Sequence, residues 1–328
     1  MLKKLLGRIL LVSVSGLFSI VVIEFLLRFF FAQPLYNFEK GLFQPSIDFD
    51  YQLSPNVIKR HSQPEYSYLI EANSFGFRGE EPNFNASNRI LLLGDSFGMG
   101  QGVSEGKYLS ALAEVSFKKR GLDIDIFNTS ISGYSTINEL KVLKKIAPIY
   151  KPKLVILLFN WNDIGFQKSF EVQNGYLVLN AGNKLSAPLR EWLNTHSRFY
   201  CLVKKAFYLY KSSQNQAGLS FSETPPESLE ITSNYLRQMK DFCRSINSKF
   251  IFTITARKEK EAQVQEFIRG KQFLINNLKE NRVAVYDWEK ELPEIGRKEL
   301  FFPIDGHYNE AGHAYFAKVL ERIIEEHL

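Results

Sequence analysis

Cysteine is nearly absent from this chain, which has two, Cys201 and Cys243. Neither stands at a spacing that ligates zinc or runs dithiol exchange, so zinc-ribbon and thioredoxin-like chemistry are excluded. A disulfide in an exported domain and two buried free thiols both stay open. Histidine is scarce too, at five, and no His, Cys, Asp or Glu cluster has metal-ligand spacing. There is no internal repeat. Charge of one sign is not gathered anywhere: 41 Lys and Arg are interleaved with 35 Asp and Glu, for a net +6. Phosphate grooves need a contiguous basic face, so nucleic acid is not expected as a partner.

What is there is the composition of a folded protein, 45% hydrophobic and 23% charged over 328 residues. That length suits one large or two ordinary domains. One long apolar run exists, Ile9 to Phe31, interrupted only by small polar residues, Glu24 and Arg28. A helix of about 20 apolar residues spans a bilayer. Lys3, Lys4 and Arg8 flank its start, which places that end in the cytoplasm. A cleaved signal peptide would have a shorter apolar core and end in small residues. This run ends Phe29-Phe30-Phe31-Ala32, with Phe30 where a small residue belongs. We therefore read residues 1–33 as a retained single-span anchor that meets the membrane through residues 9–31. Glu24 and Arg28, four apart, share a helix face and are expected to pair near the outer interface, with Arg28 snorkelling. A part in helix association is the alternative.

Residues 34–88 read as an irregular collar packed on the domain, rich in proline and aromatics, with one short strand over Tyr66 to Ile70. From Arg89 onward strand and helix patterns alternate. Strands are expected at Ile90–Leu93, Ile124–Phe127, Leu154–Phe159, Phe250–Thr255 and Val283–Tyr286, and a closing helix at Glu310–His327. Leu154–Phe159 is apolar at every position, as a parallel strand covered on both faces must be. The pattern predicts an α/β fold, a three-layer α/β/α sandwich on a five-stranded parallel sheet. Residues 165–225 break the rhythm and read as an insertion over the strand ends. Within it, Asn174-Gly175 between two β-prone runs signals a hairpin, and Trp192–Tyr210 reads as helix. His61, His196 and His327 show no partners in the sequence, and His313 fits the periodicity of the last helix as a packing or capping residue.

The first strand stops on Gly94-Asp95-Ser96-Phe97-Gly98. A serine there sits where open α/β sheets build ligand sites. The stretch also fits G-x-S-x-G, but in α/β-hydrolases the acid lies well before the histidine, whereas here Asp305 and His307 are separated by one residue. Gly98, Gly100 and Gly102 do not have dinucleotide-loop spacing. Ser96, Asp305 and His307 supply a nucleophile, an orienting carboxylate and a base.

Four blocks in order then resemble the SGNH, or GDSL, hydrolases: Gly94-Asp95-Ser96, Asn128 to Ser135 with Gly133, Asn160-Trp161-Asn162-Asp163, and Asp305-Gly306-His307. The resemblance covers residues 89–328 and implies a flavodoxin-like sheet order. The segment Asn73–Gly79 and the Glu24/Arg28 helix also look like membrane-anchored bacterial members. The resemblance implies Ser96 as nucleophile, His307 as base, Asp305 as its orienter, and an oxyanion hole from the N–H groups of Ser96 and Gly133 and the amide of Asn162. Asp95 and Asp163 support them. Two positions depart from the usual pattern. Asn160 stands where the third block opens with glycine, and one residue, not two, separates Asp305 from His307.

The expected activity is a serine esterase acting on O-acyl groups, O-acetyl above all, of a glycan or cell-envelope polymer. The alternatives are an O-acetyltransferase, a lipid or thioester hydrolase, and a relic binding module. The partners are an acylated carbohydrate or other ester and the membrane. No cofactor and no metal are required by this chemistry. The expected location is a bacterial inner membrane, with the catalytic domain periplasmic.

Overall fold

The structure is a computed structural model, and it describes residues 2–30, 37–164, 170–179, 186–213, 226–258, 265–293 and 296–328. The expected end of the anchor at Phe31, the start of the collar at residue 34 and parts of the 165–225 insertion lie outside the described residues.

Helix α1 (Leu2–Phe29) comes first. Five short strands follow, β1 (Asn37–Phe38), β2 (Phe43–Ser46), β3 (Asp50–Leu53), β4 (Ile58–Gln63) and β5 (Tyr66–Glu71). Next come β6 (Asn88–Gly94), the one-turn α2 (Ser96–Met99), α3 (Leu109–Lys119), β7 (Ile124–Asn128), α4 (Thr136–Tyr150) and β8 (Leu154–Phe159). The hairpin strands β9 (Phe170–Gln173) and β10 (Tyr176–Leu179) precede α5 (Ser186–His196) and α6 (Arg198–Ser213). The chain closes with α7 (Pro226–Ser245), β11 (Lys249–Ile254), α8 (Gln265–Glu280), β12 (Ala284–Asp287) and α9 (Glu310–His327). Chain contacts divide these into two units. One holds α1, α5 and α6, and the other holds the five-stranded sheet and the helices packed on it.

The sheet is parallel, in the order β12-β11-β8-β6-β7. This is the flavodoxin-like order, and it reverses direction between β6 and β8. Every residue of β8 is buried, as its unbroken apolar run requires. Side chains alternate across the sheet, so Ile90, Leu92, Leu154, Ile156 and Leu158 line one face. Leu109, Ala113 and Phe117 of α3 cover that face, together with Phe316, Leu320 and Ile323 of α9. Spacings of four and four in α3, and of four and three in α9, put each set on one helix stripe. Each of these buried Leu, Ile and Phe side chains contributes roughly 1.5–3 kcal/mol. Helices α4 and α7 pack together, against β6 and β11 respectively.

The expected collar is more regular than its composition suggests. Strands β2 and β3 pair antiparallel, and β4 lies between β1 and β5 in a small sheet. Phe43, Tyr51 and Leu53 are buried, so these strands are held by aromatic packing and not by length. The hairpin at Asn174-Gly175 forms as expected, with φ of 52° and 82° at its two turn residues. The helix expected over Trp192–Tyr210 is two helices. Ser197 separates them, and its Oγ accepts from Tyr200 N at 3.1 Å as the N-cap of α6. Cys201 and Cys243 are both buried free thiols.

Candidate active site

Strand β6 delivers Ser96 at its carboxyl end, beside the point where strand order reverses. Asp95 caps the short α2, accepting from Phe97 N at 2.9 Å. This turns the chain sharply and sets Ser96 as the first helical residue. The N–H groups of a helix's first turn have no partner inside the helix.

His307 approaches Ser96 from the other end of the sequence, with its Nε2 2.6 Å from Ser96 Oγ. Its Nδ1 is hydrogen-bonded to Asp305 Oδ1. The three side chains thus form one hydrogen-bonded row. The single residue between Asp305 and His307 is sufficient because the loop is tight. Phe302 N donates to His307 O at 2.8 Å, and Gly306 sits at φ +85°. The ring of Phe97 packs tilted against the imidazole, with centroids 4.6 Å apart. Burial by itself would lower the His307 pKa. The charge and hydrogen bond of Asp305, with the charge of Asp95, outweigh it and leave the imidazole above its ordinary 6.5.

Gly133 lies on the loop after β7. That loop is tied to the Ser96 turn: Asn128 Nδ2 donates to Gly98 O at 2.8 Å, and Ile131 N donates to Gly94 O at 3.2 Å. Gly133 has φ +85°, and a Cβ there would come within 2.6 Å of the Phe170 ring and 2.9 Å of Tyr51 Oη. Only glycine fits, for both backbone and space. Among the described residues its N–H has no hydrogen-bond partner. Phe170 of strand β9 therefore lies beside Gly133.

Asn162 follows β8 and is exposed. Its Nδ2 donates to Asp95 Oδ2 at 3.0 Å. Asp163 orients that loop by accepting from Asn160 N at 2.6 Å. Asn160 has φ −110°, an ordinary extended conformation, so the usual glycine is not needed there. The structure therefore links Ser96, His307 and Asp305 in one row and joins Asn162 to Asp95, while Gly133 lies on the loop tied to the Ser96 turn through Asn128 and Ile131.

Other residues were given no individual role by the sequence. Arg78 is fully buried and donates to Met99 O (3.1 Å), Gly100 O (2.7 Å) and Val103 O (2.8 Å), with an ion pair to Glu105 at 2.5 Å. It fixes the loop that follows α2. Its guanidinium also lies over the rings of Tyr68 and Tyr108, so Asn73–Gly79 is a structural brace for the nucleophile loop. Tyr51 Oη donates to Ser132 O at 3.0 Å and anchors the Gly133 loop from the collar. Glu139 of α4 is fully buried, and neither of its carboxyl oxygens has a hydrogen-bond partner among the described residues. Burial, then the charge of Asp95, pushes its pKa well above the carboxylate range. Asp163 is shifted the same way by burial, Asp95 and Glu139. Periodicity marks α4 as amphipathic but not which of its polar residues turns inward.

The histidines without sequence partners do have them. His61 Nδ1 meets Tyr68 Oη at 3.2 Å, His196 Nδ1 meets Thr195 Oγ1 at 2.8 Å and His327 Nε2 meets Tyr286 Oη at 2.8 Å. His313 is buried, and its Nδ1 accepts from Leu109 N, the first residue of α3, at 3.3 Å, so it both packs and caps, as expected of it.

No protein-family profile matches the chain. A stretch of 78 residues is 33% identical to an arylesterase of Vibrio mimicus, covering 24% of this chain and 39% of that protein. The chain thus matches well under half the length of that relative. Many of the solved structures similar to it are lipases and esterases. TesA has TM-score 0.46 and 13% identity, over 74% of this chain and 100% of TesA. The lipase/acylhydrolase of Enterococcus faecalis has TM-score 0.46 and 16% identity, over 73% and 96%. A GDSL-like lipase of Bacteroides thetaiotaomicron has TM-score 0.40 and 12% identity, over 74% and 89%.

Proposed function

We propose that this chain is a serine ester hydrolase of the SGNH type, with Ser96, His307 and Asp305 as its triad. One observation carries the reading: the unbroken row Ser96 Oγ–His307 Nε2 and His307 Nδ1–Asp305 at the strand-order reversal. Ser96 attacks an acyl carbonyl while His307 takes its proton. The negative charge that develops on the carbonyl oxygen falls to the N–H groups of Ser96 and Gly133 and the amide of Asn162. Protonated His307 then donates to the leaving alcohol. Asp305 holds the imidazole orientation and stabilises its charge. Water, activated by the same histidine, releases the acid and restores Ser96. Asp95 and Asp163 hold the two loops. None of these steps needs a cofactor.

The substrate we propose is an O-acyl ester, chiefly O-acetyl, on a glycan or envelope polymer. Residues 1–33 serve as an anchor in a bacterial inner membrane, with the N-terminus cytoplasmic and the rest periplasmic. The reading is supported by helix α1, long and apolar enough to cross a bilayer over Lys4–Phe29, and by the basic residues at its start. Residues 34–88 form the collar, and 89–328 the hydrolase domain with its insertion.

The test uses the detergent-solubilised full chain beside Ser96→Ala, with p-nitrophenyl acetate as substrate and a fluorophosphonate as label. Turnover and labelling that vanish in the variant establish the centre. A wild type that neither turns over nor labels overturns it and leaves a binding module. Adding acetylated and acceptor glycans separates hydrolysis from acetyl transfer, since transfer moves acetate to the acceptor in place of water.

A further inference from the structure

Glu24 and Arg28 do more than pair with each other at 2.9 Å. Glu24 accepts from Arg198 N (3.1 Å), Phe199 N (2.9 Å) and Ser197 Oγ (3.1 Å), so its carboxylate sits on the amino end of α6. Free N–H groups and the helix dipole both favour an anion there. Arg28 Nη2 donates to His196 O at 2.6 Å, the last carbonyl of α5. One charged pair on α1 therefore clamps the break between two helices, satisfying groups at the end of one and the start of the other. Leu27, between them in sequence, is buried, unlike most of α1. Helix association, the alternative reading of this pair, is what the contacts show.

The two clamped helices expose large apolar side chains: Leu189 and Trp192 on α5, and Val203, Phe207, Leu209 and Tyr210 on α6. Val203, Phe207 and Tyr210 recur at spacings of four and three, one stripe of the helix. The same helix carries Arg198, Lys204, Lys205 and Lys211 and no acid. An apolar stripe beside several cations, without acids, suits the boundary between acyl chains and anionic headgroups. Glu24 lies only about one and a half turns from the end of α1, which fixes the depth of the clamp near that boundary.

We propose that α5 and α6 form an interfacial element whose apolar stripe is covered by lipid, held at the bilayer surface by the Glu24/Arg28 clamp. The proposal rests on α1 being a membrane span. It adds a second, lateral attachment that the anchor alone does not require.

The test reconstitutes the full chain in phosphatidylethanolamine/phosphatidylglycerol vesicles, plain or with lipids brominated near the headgroup. Tryptophan emission is compared with that of Trp192→Phe. The chain has three tryptophans, and Trp161 and Trp288 are buried, so the difference isolates Trp192. The Trp192 emission should fall about twofold or more in brominated vesicles. Protein that floats with the vesicles but shows no Trp192-dependent quenching overturns the interfacial element and leaves the anchor standing. Protein that fails to float overturns the anchor, and the inference with it.

Discussion

Asn162 donates its side-chain amide to Asp95 Oδ2 at 3.0 Å, joining the loop after β8 to the residue that caps the nucleophile helix. An amide nitrogen carries two hydrogens. The bond to Asp95 uses one and fixes the amide plane, leaving the other for the oxyanion in the proposed reaction. Asp95 is fully buried. Burial raises its pKa, against the hydrogen bonds from Phe97 N and Asn162. The pair thus orients a donor and stabilises a buried carboxylate together.

Asn162→Ala should therefore lower kcat by about 10²–10³-fold with little change in KM, as loss of one oxyanion donor does. Steady-state kinetics on p-nitrophenyl acetate decide this. An unchanged kcat removes Asn162 from the oxyanion hole.

The base must be neutral to act, so activity should fall as pH drops through the His307 pKa, which lies above 6.5. In Asp305→Asn the carboxylate that raises this pKa is gone while burial remains. The acidic limb of kcat/KM should move to lower pH, and kcat should drop by about 10⁴-fold. A limb that stays in place would assign the pH dependence to another group.

Glu139 has a raised pKa in the folded state, so the folded protein binds a proton that the unfolded chain releases above its ordinary 4.5. This contribution to stability is complete below that value and is lost as pH rises toward the folded pKa. Glu139→Gln keeps the shape without the titration. Its stability advantage over the wild type should grow by at most about 1.4 kcal/mol per pH unit between pH 5 and 8, read by urea unfolding. A constant difference would mean that Glu139 is ionised in the folded protein.

Arg78 serves three backbone carbonyls and Glu105 from a fully buried position. Arg78→Lys keeps the charge but not the planar fork. It should cost about 3 kcal/mol in unfolding free energy, with a larger loss of activity than of substrate binding. Retention of both stability and kcat would show that the loop after α2 holds itself.

The parallel sheet was legible because its strands are contiguous apolar runs, and burial on both faces demands such runs. The first three blocks were legible because each lies next to a strand end, where local sequence and local geometry coincide, and Asp305-Gly306-His307 because it stands just ahead of the closing helix α9. Of the collar strands, β5 was expected over Tyr66–Ile70, but β1 to β4 were not legible. They are short, and partners distant in sequence hold them, as Tyr134 Oη shows by donating to Tyr51 O at 2.7 Å across 83 positions. The break at Ser197 escaped the helical pattern because one serine in an amphipathic stretch reads equally as surface or cap.

By itself the sequence determined the fold class, the order of the four blocks, the apolar helix and the candidacy of Ser96, His307 and Asp305 as a triad. Composition, periodicity and strand-end motifs are local quantities. Only the tertiary structure decided that Ser96 and His307, 211 positions apart, meet at 2.6 Å. It alone decided that Glu139 turns inward with no hydrogen-bond partner among the described residues, that Arg78 braces the nucleophile loop, and that Glu24 caps a helix 174 positions away. Each of these depends on which groups burial brings together, and burial belongs to the whole packed chain.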